Sequence, residues 1–106
     1  MWWLLAFLTA LPRVGIIAYP KALREGGSVH VECRVARHPH NRWLTMGLGD
    51  SVSVIQLDGE AAPVIHVRTF RAECLPEGQP QAFCLLSGTD GELRQAVQPI
   101  GVLCEG

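Results

Sequence analysis

Ser28-Val29-His30-Val31-Glu32-Cys33-Arg34-Val35 is the stretch that decides the architecture. Val29, Val31, Cys33 and Val35 fall on one side of an extended chain, and His30, Glu32 and Arg34 on the other. Period-two alternation is what a half-buried antiparallel strand needs, because successive side chains leave a pleated strand in opposite directions. It places Cys33 on the inward face and leaves His30 facing solvent.

The segments on either side read the same way. Arg37-His38-Pro39-His40-Asn41 is a turn, since Pro39 has no N–H for a ladder and Asn tolerates turn geometry. Residues 42–48 form the next strand, with Trp43 and Thr45 on one face and Leu44, Met46 and Leu48 on the other. Gly49-Asp50 turns the chain into a strand over 51–57, and Asp58-Gly59 reads as a tight turn into a strand over 62–70. Residues 71–80 are a loop carrying Cys74. Residues 81–86 form a strand containing Cys84, and Thr89-Asp90-Gly91 turns it back into a last strand over 93–104. Pro99 inside that strand indicates an edge or a bulge. Residues 21–27, ending in Gly26-Gly27, read as a lead-in loop. No stretch after the N-terminus has a helical period. The expectation is all-β: one antiparallel sandwich of six to seven strands preceded by an apolar segment.

That segment is Trp2 to Leu11, uncharged and broken in character only by Thr9. Ten apolar residues are too few to cross a hydrocarbon core, which takes about 20, but they suit the centre of a secretory signal peptide. The division that follows is a leader over 1–18, cut after Ala18 (Ala10 being a second candidate), and a domain over 19–106. The competing division makes 14–19 the first strand. An exported chain meets oxidising conditions, in which four cysteines form disulfides. Four cysteines allow three pairings.

From Val29 to Val102 the chain resembles immunoglobulin-like sandwich domains. Cys33 stands in a second-strand position, Trp43 in the third strand and Cys84 in the sixth, and Val97 and Val102 mark the last. The resemblance implies a Cys33–Cys84 bridge between the sheets with Trp43 packed beside it in the core. The remaining pair, Cys74 and Cys104, would then tie the long loop to the chain end.

The function classes narrow by exclusion. A net charge of −1 offers no excess of cations to a nucleic-acid backbone. The cysteines lie 41, 10 and 20 residues apart, without the close pairs of a zinc or redox motif. No serine is framed as a nucleophile, and no glycine-rich phosphate loop occurs. The reading is therefore of no enzyme, no cofactor and no metal. It is instead an exported binding or assembly module, secreted, periplasmic or surface-associated, without a lasting membrane anchor. Its partner is a protein or glycan, met through loops or a sheet edge. The expected contact residues are Arg37, His38, His40 and Asn41 with Thr89 and Asp90, which share one end of a sandwich. The other reading is a small structural subunit that self-associates in an envelope, appendage or particle.

Overall fold

In a computed structural model of the chain, the residues described are 13–62, 64–76 and 78–104. They form nine strands: β1 Val14–Tyr19, β2 Ala22–Arg24, β3 Ser28–Val35, β4 Asn41–Leu48, β5 Ser51–Gln56, β6 Ile65–Arg71, β7 Gln81–Gly88, β8 Leu93–Pro99 and β9 Gly101–Leu103. A three-stranded antiparallel sheet, β1-β3-β6, faces a four-stranded antiparallel sheet, β5-β4-β7-β8. A short parallel pair, β2-β9, closes one end. This is the antiparallel sandwich that the alternation of β3 predicts, with β3 at the expected bounds.

The core lies between the sheets. Val29, Val31, Cys33 and Val35 from β3 meet Leu44, Met46 and Leu48 from β4 and Ala82, Cys84 and Leu86 from β7, all buried. Cys33 and Cys84 are joined across it, with Cα atoms 5.9 Å apart. Each sits on an interior strand of its sheet, so the bond ties the two ladders at their middles. Cys74 and Cys104 are joined at the edge, Cα atoms 6.1 Å apart, tying the 72–80 loop to the end of β9. Closing the 33–84 loop removes chain entropy from the unfolded state worth about 4 kcal/mol.

One seam of the sandwich is closed by a side chain. The Gln98 amide donates to the Ala18 carbonyl (2.8 Å) and accepts from the Ala18 N–H (3.1 Å). Ala18 is buried, so its backbone groups need partners. Gln98 thus does between β1 and β8 what a ladder pair would do.

Several expectations are corrected. Trp43 is not in the core; it is 46% exposed. The reason is parity: Leu44, Met46 and Leu48 claim the inner face of β4, and in a strand of period two that turns Trp43 outward. An irregularity between Asn41 and Trp43 then returns Asn41 to the interior. The 21–27 loop contains β2. The last strand is two, because the chain breaks at Pro99 and Ile100 before β9 pairs with β2. Asp58-Gly59 does not make a hairpin. It enters a 3-10 turn, Gly59–Ala61, because β5 and β6 lie in different sheets and the chain must cross between them.

The leader boundary at 18 does not coincide with an edge of the fold. Val14–Tyr19 is β1, paired with β3 along its whole length, with Val14 and Ala18 buried. The apolar run up to residue 12 lies outside the described residues.

Two substitutions separate these contributions. Cys33→Ala with Cys84→Ala is expected to lower stability by about 4 kcal/mol or more, from lost crosslinking and packing. Trp43→Ala is expected to cost under about 1 kcal/mol, as surface changes do. Urea denaturation of the three proteins checks both.

Candidate binding surfaces

The 36–41 loop and the 88–92 turn do meet at one end of the sandwich. Asn41 pairs with Gly88 in the ladder, and the Thr89 N–H donates to the His40 carbonyl at 2.9 Å. That carbonyl lies over Gly88: a Cβ there would sit 2.0 Å from it. Glycine is thus required by close approach of the two backbones. His40 Nδ1 and the Thr89 hydroxyl are 2.7 Å apart. The His40 N–H donates to His38 Nδ1 at 3.2 Å.

Arg13 binds this end together. Its guanidinium donates to Asp90 Oδ2 at 3.2 Å and to Asn41 Oδ1 at 2.5 Å, and its carbonyl accepts from the Ala36 N–H. Asn41 in turn donates to the Ala36 carbonyl. Asp90 also takes Arg94 at 3.2 Å and the Glu92 N–H at 3.1 Å. The Glu92 N–H first, then Arg13 and Arg94, hold the Asp90 carboxyl below its ordinary range. Partial burial, followed by the Arg13 charge and His40, keeps His38 towards its neutral form.

The structure therefore brings all six expected contact residues to one end and gives several of them work inside the chain. Asn41, 1% exposed, is a structural residue and not a contact. Thr89, Asp90 and His40 are exposed but engaged with one another or with Arg13. Arg37 is exposed on the same loop. Chemically, this end is a latch of charge-assisted hydrogen bonds joining the start of β1 to two loops.

The surface that sequence reasoning missed is a sheet face. On the outside of the four-stranded sheet, the registers align three rows: Val52-Gly47-Phe83-Val97, Val54-Thr45-Leu85-Gln95 and Gln56-Trp43-Ser87-Leu93. None of these positions carries a charge, and seven are large and apolar. Val54 is 60% exposed and Leu93 63%. At about 4.8 Å between strands and 3.3 Å per residue, the rows span about 14 by 13 Å between backbone positions.

The outer face of the other sheet is mixed, with exposed Ile17, Tyr19, Ile65 and Val67 on its edge strands and a polar centre. Its central strand presents His30, Glu32 and Arg34 outward, with Glu32 and Arg34 paired at 2.7 Å and His30 bonded to Thr69 at 2.9 Å. Antiparallel sheets with one wet face normally alternate in this way. The signal for the missed face was present in Ala82-Phe83-Cys84-Leu85-Leu86: five consecutive apolar residues on an interior strand mean that both faces are apolar.

The four histidines do not converge. His38 and His40 stack at 5.0 Å, His30 lies on the outer face of β3, and His66 is buried opposite Cys33. No group of three His, Cys, Asp or Glu side chains with metal-holding geometry occurs among the described residues.

No protein-family model matches the chain, and no curated protein matches it at a significant level. Among solved structures, the chain is similar to the sulfur carrier protein SoxY from Chlorobium limicola f thiosulfatophilum. The TM-score is 0.68 at 16% sequence identity, covering 95% of this chain and 93% of that one. At that identity the likeness shows the fold.

The latch has a pH signature. Because the Asp90 pKa is lowered on folding, its stabilisation is complete above the ordinary value of 3.8 and is lost as pH falls through the lowered one. Asp90→Asn is expected to be less stable than the parent at pH 7, with the difference shrinking as pH falls below 3.8, by denaturant titration across that range.

Proposed function

We propose that this chain is a small exported, non-catalytic module of immunoglobulin-like arrangement that binds a protein through the outer face of its four-stranded sheet. The observation that carries the reading is the uncharged, apolar character of that face. Monomeric soluble proteins rarely expose contiguous apolar patches above a few hundred Å², and larger ones mark interaction sites. Withdrawing about 400 Å² from water contributes about 10 kcal/mol, comparable with the roughly 4–15 kcal/mol cost of association. A partner that brings an apolar face of its own doubles the gain. A glycan, whose hydroxyls need hydrogen-bonding groups, suits this surface less than a protein does. The loops proposed from sequence lie at its margin and are occupied in the latch.

Export rests on the two disulfides, which persist in oxidising compartments, and on the apolar run ahead of Arg13. The inter-sheet bridge between interior strands agrees with an immunoglobulin-like arrangement. Since β1 begins at Val14 and Arg13 closes the latch, removal of a leader fits a cut after Ala10 and not after Ala18. Sequencing the amino terminus of the exported protein is expected to begin at Leu11. A first residue of Tyr19 would remove most of β1 and refute this division.

The surface itself is tested by Val54→Lys and Leu93→Lys. Both are expected to melt within about 4 °C of the parent, as solvent-facing changes do in a domain of this size. Both should also lower binding of a fluorescent apolar dye. Unchanged dye binding in both would refute the reading.

A further inference from the structure

The occupant of the apolar sheet face can be identified further, on the premise that this face is the binding surface. We propose that it is a second copy of this chain, packed face to face about a two-fold axis that lies in the contact plane over the Thr45–Leu85 pair.

Three observations point to a like partner. The first is charge. A two-fold contact sets a surface against itself, so any charge near the axis meets its own kind. This face has none across three rows and four strands. A surface shaped for a different protein ordinarily carries charges that steer and select it. Here the charged groups stand outside the rows. Arg42, beside Trp43 on β4, donates to the Pro39 and Asn41 carbonyls, and Glu92 stands just before Leu93 at the start of β8. An axis running along the strands sets β5 over β8 of the second copy and β4 over its β7.

The second is shape. Two sheets pack closely only if both are flat across the middle. The centre of this face is low: Gly47 and Thr45 on β4, Ser87 on β7. Phe83 lies down over Gly47, since a Cβ at Gly47 would come within 2.8 Å of Phe83 Cζ. The ring covers the strand instead of standing up from it. Sheets of this kind stack about 10 Å apart, as the two inside the sandwich do.

The third is area. Face-to-face contact withdraws the patch twice, about 800 Å² in total, with the rim adding to it. With the rim added, that falls among weak, transient interfaces, below about 1,200 Å², whereas a loop or peptide would cover only part of one face. An interface of this size forms a reversible dimer.

The experiment is sedimentation equilibrium on the full chain from 1 µM to 1 mM. The weight-average mass is expected to rise from one chain of 11.6 kDa to two, and to stop there. Thr45→Lys and Leu85→Glu should each weaken association by about 100-fold or more, the effect of an unpaired charge in a contact. Mixed in equal amounts they should re-form a dimer, because position 45 of one copy faces position 85 of the other. Recovery in the mixture also shows that both variants are folded. If either fails to fold, Val54→Lys, on the most solvent-facing part of β5, carries the same test.

A mass that stays at one chain to 1 mM overturns the second copy as occupant. If apolar dye still binds the parent and is lost in Val54→Lys, the face remains a binding surface for a different protein, or for residues 1–12 of this chain. If dye binding is also unaffected, the surface reading fails with it. Growth beyond two copies overturns the closed two-fold contact, and so does a dimer that Val54→Lys leaves intact.

Discussion

The Cys33–Cys84 bond is the constraint from which the remaining geometry follows. It joins interior strands of the two sheets at their midpoints, and both sulfurs are fully buried. A strand has only two sides, so fixing one residue inward fixes every other residue of that strand. With Cys33 inward, His30, Glu32 and Arg34 must face out, and the three-stranded sheet acquires a polar line along its centre. With Cys84 inward, Phe83 and Leu85 must face out, and the four-stranded sheet acquires a dry one. The apolar face is in this sense the shadow of the disulfide.

Much of the fold was legible because it depends on that parity. Val29 to Val35 alternate cleanly, and β3 was read with its bounds. The bridges and the meeting of the 36–41 and 88–92 segments are what the immunoglobulin-like resemblance implies; the residues alone leave three cysteine pairings open. Trp43 was placed inside because a tryptophan beside the bridge is what the resemblance implies, and there the local pattern was the better guide: three apolar residues at 44, 46 and 48 outweigh one at 43. β2 and β9 were not legible, because three-residue strands have too few positions to show a period. They exist because each finds the other across the end of the sandwich. Asn41 was read as a surface turn residue, its usual place; burial made it a hydrogen-bonding hub instead, something only the arrival of Arg13 could decide.

The latch end and the outer sheet face differ in how their side chains are used. At one end the polar residues that sequence would nominate for recognition are consumed by the Arg13 latch. On the flank, residues that sequence would nominate for a core are left outside. Fold likeness to a sulfur carrier protein says nothing about either, since a sandwich hosts many activities and the work is done by surfaces grafted on it. In this chain the four cysteines are joined in pairs.

The latch and the outer disulfide also stand at opposite poles. Arg13 is fastened beside Asp90, just before β8 begins; Cys104 is fastened to Cys74, just past β9, which continues from the far end of β8. Tension applied between residues 13 and 104 would therefore run along β1 and β8, and pull lengthwise on the ladder each makes inside its own sheet, β1 with β3 and β8 with β7. A domain anchored in that way bears load in shear, the sense in which a β-ladder is hardest to tear.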